Sequence, residues 1–253
     1  MANGICVYAE SYNGELETVA AELVSAAKGL AETTKEKVQA IVLSDHAEEL
    51  VKELDKLGVD EIYAVKADHD ITLQDDAVSA AIAEMLKKIE PSAVLVPATP
   101  QGRSIFSRVA MRLGCGMTAD CTEVLAAQRE DGSFYIKQNK PSYGENVFVT
   151  ILTKEGIYPQ MMTVRPGVYA VCEAKESGNA NVTFLMISKL KNLELRFWKN
   201  FRQKIQQTVF SEQKLLLSED VESWKMITLN FLRNSLRKSE EQSEEQDQWL
   251  IQR

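Results

Sequence analysis

Four residues in one short segment have the chemistry to bind an anion. Thr99, Gly102, Arg103 and Ser104 follow the apolar run 93–96 and come directly before a helical pattern. A turn from strand to helix with exposed amides, an Arg and a Ser hydroxyl is where open α/β sheets bind phosphate groups. The segment has neither a GxGxxG nor a P-loop pattern. An ordinary loop with a helix cap and a solvated Arg103 explains it equally, and the sequence leaves both interpretations open.

The cysteines and histidines form no recognisable catalytic or metal-binding pattern. The four cysteines share no CxxC spacing, which argues against a zinc site or a disulfide framework; they are Cys6, Cys115, Cys121 and Cys172. Asp120 precedes Cys121, but no motif places His46 or His69 as a base for that thiol. The polar residues at 45, 46, 69 and 70 lack ligand spacing and are typical of a solvated surface. We therefore predict no catalytic residue and no metal site.

Composition and charge exclude several classes of function. The chain has 253 residues, of which 45% are hydrophobic, and a net charge of −8. An acidic protein is a poor ligand for nucleic acid or for an anionic membrane surface. No apolar run approaches the roughly 18 residues that span a bilayer, and residues 1–4 do not resemble an export signal. With scattered cysteines that predict reduced thiols, we expect a cytoplasmic protein.

The elements that position these residues alternate between strand and helix. Short apolar runs, each predicting a strand buried on both faces, occupy 5–8, 38–43, 62–65 and 93–96. Between them, and after the last run, apolar residues recur three and four positions apart, which predicts amphipathic helices. This alternation is typical of a doubly wound, mostly parallel α/β sheet of the Rossmann-like type.

After Gly116 the pattern changes to shorter extended pieces. They occupy 134–137, 147–152 and 160–164 and are separated by Gly and Pro. We expect them to extend the same sheet, partly antiparallel, with the first domain closing near 182–185.

The remainder of the chain, 186–253, has a different composition. All twelve glycines lie at or before Gly178, and all six prolines lie at or before Pro166. About five glycines and three or four prolines would be expected in a segment of this length. We therefore predict two regions: an α/β domain over 1–185 and a polar, helical or disordered tail over 186–253.

Four stretches together resemble the first domain of electron transfer flavoprotein alpha subunits. They are Tyr8-Ala9-Glu10; Gly102 to Ala110 leading into Gly114 to Glu123; Lys140 to Asn146; and Pro159 to Gly167. That family carries a small-residue run ending Thr-Ala-Asp-Cys-Thr and a Met-x-Thr-Val-Arg-Pro-Gly segment. Ser107 departs from it, because the family usually has Pro there. The resemblance covers about 1–185 and rests on the order of all four stretches.

The resemblance implies an electron carrier subunit rather than an enzyme. Such proteins are heterodimers of alpha and beta subunits, and they carry electrons from acyl-CoA dehydrogenases or other flavoenzymes to an acceptor. FAD is held mostly by a second alpha domain, so we expect this chain alone not to bind FAD. By the same resemblance, the first domain is a scaffold and docking surface.

We place the predicted contact with the beta subunit on the part of the domain after Gly116. Its candidate residues are Tyr143, Asn146, Met161 and Arg165, since aromatic, Met and Arg side chains are enriched at interfaces. The alternative is that Met161 and its neighbour Met162 belong to the core.

Two other functions fit the same sequence. One is a freestanding adenine-nucleotide-binding α/β module that uses the Thr99–Ser104 turn. The other is an interaction protein whose tail forms an amphipathic helix from Leu190 to Ile205. Binding of an adenine nucleotide by residues 1–185 would favour the first.

The tail also suggests a shift of reading frame. When codons permitted for Ser218 to Met226 are read from the third base of the Ser218 codon, they allow Gly-Gly-Arg-Gly-Val-Val-Glu. A turn of that kind before a helix resembles the family's flavin segment, where amides face phosphate. The alternative is a genuine, divergent tail, disordered near 239–247 where acidic residues and Gln cluster.

Overall fold

The computed structural model describes residues 3–67, 74–130, 132–142, 147–176 and 178–185. In chain order the strands and helices are β1 Ile5–Tyr8, β2 Ser11–Tyr12, β3 Glu15–Leu16, α1 Thr18–Thr34, β4 Val38–Ser44, α2 Ala47–Lys56, β5 Glu61–Lys66, α3 Asp75–Ile89, β6 Ala93–Pro97, α4 Pro100–Leu113, β7 Met117–Cys121, β8 Glu123–Gln128, β9 Phe134–Pro141, β10 Phe148–Ile151, β11 Gln160–Val164 and β12 Asn181–Phe184.

The main sheet of the described region has seven strands in the order β12-β5-β4-β1-β6-β11-β7. Every pair of neighbours in it is parallel. The chain moves outward from β1 to β4 and β5, and then returns to β6 on the other side of β1. This reversal makes the carboxyl ends of β1 and β6 the switch point of a doubly wound sheet. The predicted fold class is confirmed.

Helices cover both faces of the main sheet because the central strands are apolar on both sides. β1, β4, β6 and β11 are buried along their whole length. One core layer contains the apolar stripes of α1 and α2, and the other contains those of α3 and α4. Among the described residues, no helix combines the length and the apolar character that a bilayer span requires.

The predicted placement of the strands over 134–137 and 147–152 is wrong. β9 pairs with β8 and with β10, and these antiparallel strands form a separate sheet instead of extending the main one. In β8 and β9, buried Val124, Ile136 and Gln138 alternate with more exposed neighbours, which is the pattern of a sheet covered on one face. The prediction for 160–164 is confirmed: β11 lies inside the main sheet, between β6 and β7.

Two elements have no counterpart in the sequence patterns. β7 is the edge strand of the main sheet beside β11, but its sequence, Met-Thr-Ala-Asp-Cys, lacks a continuous apolar run. The short hairpin of β2 and β3 comes directly before α1 in the chain.

β12 falls where we expect the first domain to close. The predicted tail over 186–253, with the helical pattern from Leu190, lies outside the described residues.

Candidate functional site

The strand-to-helix turn after β6 is held together by its own capping contacts. Thr99 is the N-cap of α4, and its Oγ accepts a hydrogen bond of 2.9 Å from the backbone N–H of Gly102. Gly102 is buried, and a Cβ at this position would lie 2.2 Å from the carbonyl oxygen of Pro97. The close approach of α4 to the end of β6 therefore requires a glycine at this position. The sequence alone suggested a ligand as the reason for the glycine.

Carboxylates surround this turn. The Thr99 hydroxyl donates a 2.8 Å hydrogen bond to Oε2 of Glu10, a buried residue at the end of β1 whose pKa is raised mainly by burial. The Ser104 hydroxyl donates to the carboxylate of Asp75, at the start of α3. Because an anion here would meet two acidic side chains, the geometry disfavours a phosphate. The assignment of the turn as an anion site stays a prediction.

A pocket of about 290 Å³ lies beside the turn, on the side of β4. Its described lining contains no Lys or Arg and combines hydroxyl, amide, imidazole and carboxylate groups, contributed by Tyr8, Ser11, Asn13, Ser44, Asp45, His46 and Gln101. The imidazole of His46 lies 3.8 Å from the carboxylate of Asp45. This lining suits a small polar molecule better than an anion.

Arg103 is directed away from this pocket and toward the edge of β7. Its Nη2 donates to Oδ1 of Asp120 at 3.2 Å. Arg165, just after β11, binds the same carboxylate through Nη2 at 2.6 Å and Nε at 3.2 Å. These hydrogen bonds hold the pKa of Asp120 below its ordinary value and raise that of Arg165. Asp120 therefore links α4 to two neighbouring strands.

Asp120 has an uncommon backbone conformation, with φ of +66°. Its N–H donates a 2.7 Å hydrogen bond to Oγ1 of Thr163 instead of continuing the regular ladder, and the register between β7 and β11 shifts at this point. Left-handed backbone in a residue other than Gly persists only where the surroundings enforce it. Here the ion pairs and the hydrogen bond to Thr163 do so.

The predicted interface residues fall in different environments. Met161 is fully buried in the core layer of α3 and α4, and Met162 is fully buried in the opposite layer. Both methionines are therefore core residues, which was the alternative interpretation of the sequence. Met161 is not exposed to a partner in this structure. The side chain of Arg165 is 45% exposed. Tyr143 and Asn146 lie outside the described residues.

The outer face of the small antiparallel sheet carries exposed apolar side chains that sequence reasoning missed. Phe148 is 70% exposed, and Leu125 and Leu152 are each about half exposed. A polar ladder crosses the same sheet: Asn139 donates to Glu123 at 2.6 Å, and Thr150 donates to Asn139 at 2.7 Å. The sequence offered one sign of this face, because apolar Val124 and Leu125 must point to opposite sides of a strand. Only the assignment of β8 to a separate sheet shows which of the two sides is exposed.

Two of the four cysteines are shielded from solvent. Cys6 and Cys121 are buried, and burial raises the pKa of both thiols, to about 11 for Cys121. No cluster of three or more potential metal ligands occurs in the described part of the chain. His69 lies outside that part.

The fold combines a switch point, a self-contained turn and a small antiparallel sheet with exposed apolar side chains, and it defines a doubly wound α/β domain. A family model described as electron transfer flavoprotein domain matches residues 5–188. The chain therefore belongs to the electron transfer flavoprotein family, as the four stretches predicted.

Relatives named as alpha subunits extend this finding. The electron transfer flavoprotein subunit alpha of Thermoanaerobacterium thermosaccharolyticum is 35% identical over 164 residues, which cover 65% of this chain and 48% of that protein. The subunit of the same name in Clostridium acetobutylicum is 31% identical over 188 residues, 74% of this chain and 54% of its own length. Protein FixB of Clostridium saccharobutylicum is 31% identical over 225 residues, 88% of this chain and 62% of its length. The chain thus spans about half the length of the first two relatives.

Proposed function

We propose that this chain is an alpha-type subunit of an electron transfer flavoprotein, and that its described domain is a scaffold that docks a beta-type subunit. The observation that carries the proposal is the open face of the small sheet, with Leu125, Phe148 and Leu152 exposed on a domain that matches the family. Large apolar side chains grouped on one face mark an interaction site.

The occupant of this face is the second subunit of the heterodimer. Relatives of this chain are themselves named as subunits, which supports a second subunit as the partner. β10 is the edge strand of the small sheet, and an exposed edge beside an apolar face is open to pairing. Arg165, whose side chain is 45% exposed beside Asp120, remains a proposed charged contact with the same partner.

The described residues do not fit FAD by themselves. A bound dinucleotide needs backbone amides that receive its pyrophosphate, yet the amide of Gly102 is bonded to Thr99, and Glu10 and Asp75 flank the turn. We propose that FAD is not held by this chain alone. The chain, reconstituted with FAD and desalted, is then colourless; stoichiometric yellow colour contradicts this.

The electron donors of the complex are flavoenzymes, with acyl-CoA dehydrogenases as the class that the family resemblance suggests. In this proposal the chain acts in the cytoplasm as part of a carrier and not as an enzyme in its own right. It provides no catalytic side chain; it positions the partner subunit.

A second candidate is an adenine-nucleotide-binding module, and the pocket at the switch point is the observation that favours it. The carboxylates around the neighbouring turn count against it. Titration with AMP and with adenosine separates the contributions of phosphate and base: tight binding of AMP by the isolated chain supports the module, and absence of binding supports the scaffold.

Co-expression tests the scaffold directly. The chain is produced with a tagged electron transfer flavoprotein beta subunit encoded in the same genome, and the purified material is examined by analytical ultracentrifugation. The proposal predicts a complex with one copy of each subunit. Two separate species at micromolar concentration would overturn it.

A further inference from the structure

A lysine and a cysteine far apart in sequence lie in direct contact. The Nζ of Lys28, on α1, is 3.1 Å from the Sγ of Cys172, in the connection between β11 and β12. The two residues are separated by 144 positions, so the fold alone brings them together.

Both side chains are anchored around a single acceptor. The carbonyl oxygen of Leu57, at the end of α2, accepts from the Nζ of Lys28 at 2.6 Å and from the Sγ of Cys172 at 3.4 Å. The backbone N–H of Cys172 also donates to the carbonyl oxygen of Ala21 on α1. The amine and the thiol are therefore held side by side by contacts from both helices.

Cys172 is also accessible to a small oxidant. It is partly exposed at the border of the α1 and α2 core layer, whereas Cys6 and Cys121 are buried. Cys115, also partly exposed, has the Sδ of buried Met161 as its neighbour at 3.2 Å. Cys172 thus combines a partly exposed thiol with a direct contact to an amine.

We propose that Lys28 and Cys172 form a covalent cross-link when the protein meets hydrogen peroxide. The thiol first reacts with peroxide to give a sulfenic acid and one water, so the sulfur loses two electrons to the peroxide O–O bond. The lysine ammonium releases one proton to solvent, and its nitrogen lone pair then attacks the sulfur. An S–N bond forms, the S–O bond breaks, and the leaving hydroxyl takes a proton from the attacking nitrogen to depart as a second water. In sum, thiol, amine and peroxide give a sulfenamide and two waters.

The cross-link would fix the segment that leads to β12. This segment crosses the end of α2, where Lys175 N–H donates to the carbonyl oxygen of Lys56 and Ala180 N–H donates to Oδ1 of Asp55, both at 2.8 Å. It then enters β12, which is an edge strand with mostly exposed side chains. A bond from Cys172 to Lys28 ties the start of this connection to α1 until a thiol reductant cleaves it.

Peptide mapping of the full chain tests the proposal. The protein is treated with hydrogen peroxide, free thiols are blocked, and the unreduced material is digested with trypsin. The expected product is one cross-linked peptide pair joining Lys28 to Cys172, lighter than the two peptides together by two hydrogen atoms, and abolished by dithiothreitol. Cleavage after Lys28 is lost in the same fraction of molecules.

Matched variants make the result specific. Lys28→Arg keeps a cation that donates to Leu57 but lacks the nucleophilic amine, and it is expected to abolish the pair, as is Cys172→Ser. Cys115→Ser and Lys175→Arg are expected to leave its yield unchanged. Three results would overturn the proposal. They are a cross-linked pair that retains one oxygen atom, a cross-link to Lys175 instead of Lys28, and oxidation of Cys172 to sulfinic acid without a cross-link.

Discussion

The two sheets of the described region bury their strands to very different degrees. In the main sheet, β1, β4, β6 and β11 are buried residue by residue, while β10 in the small sheet is almost entirely exposed. Parallel strands covered by helices on both faces provide stability, and an antiparallel sheet covered on one face leaves the other free. In the proposed function the main sheet is the scaffold and the small sheet is the docking surface, so mutations in the two sheets are expected to have different consequences.

The largest effect on stability is expected from the core beside β1. Phe106 is fully buried against Tyr8, with ring centroids 4.8 Å apart, and Phe106→Ala is expected to lower the free energy of unfolding by about 3–5 kcal/mol. Phe148→Ala, the matched change on the small sheet, is expected to alter it by about 0.5 kcal/mol or less. Urea unfolding of both variants measures this, and equal losses would erase the distinction between the sheets.

A glycine pair tests the packing of the turn at the switch point. Gly102→Ala places a Cβ against the carbonyl oxygen of Pro97, and we expect a loss of about 1–3 kcal/mol. Gly29→Ala, in an exposed part of α1 with open space around it, is expected to stabilise by about 0.5–1 kcal/mol. Thermal unfolding should show melting temperatures shifted in opposite directions. A neutral Gly102→Ala would show that the turn is looser than described.

The ion pairs of Asp120 should give stability that depends on pH. Arg165 depresses the pKa of the folded-state carboxyl, so the stabilisation is complete above the unfolded-state pKa of about 4 and is lost as pH falls through the lower folded-state value. Asp120→Asn keeps a residue that tolerates positive φ and is expected to cost about 1 kcal/mol at neutral pH. The free energies of unfolding of the wild type and the variant should converge as the pH is lowered. A constant difference between them down to about pH 2 would contradict this.

The smallest effect is expected from removing the tail. A variant ending at residue 185 retains every described element, so its melting transition should equal that of the full chain. Circular dichroism and calorimetry measure this, and an insoluble or unfolded product would contradict the predicted domain boundary.

The reading-frame interpretation of the tail stays a prediction with its own test. The match to Protein FixB covers 88% of the chain and so extends past residue 185. Translation of the gene in all three frames decides between them. A Gly-rich continuation after codon 186 in another frame supports the shift, and its absence ends that interpretation.

The sequence predicts the main sheet well because each central strand is a local apolar run bounded by turns. α3 and α4 likewise follow from apolar residues at helical spacing. β7 escapes prediction because an edge strand needs little apolar character, and Met-Thr-Ala-Asp-Cys shows none of the usual alternation. The small sheet is misplaced because a short extended segment does not specify its partner strand.

The candidate site is less predictable, since its features depend on contacts between distant residues. The sequence points to Gly102 as part of an anion site, whereas the structure requires a glycine there because the carbonyl oxygen of Pro97 lies so close. The carboxylates of Glu10 and Asp75 reach the turn from other elements, and the contact of Lys28 with Cys172 spans 144 positions. Such pairings are set by tertiary packing and leave no local pattern.

Two exposed apolar residues provide the most direct test of the small sheet as the docking surface. Phe148 lies on the open face of the small sheet, and Met111, 83% exposed, lies on α4. Phe148→Asp and Met111→Asp are each titrated with the purified beta-type subunit by isothermal calorimetry. We expect Phe148→Asp to raise the dissociation constant at least tenfold, about 1.4 kcal/mol, and Met111→Asp to leave it unchanged. Wild-type affinity in Phe148→Asp, or an equal loss in both variants, would contradict the assignment of the small sheet as the docking surface.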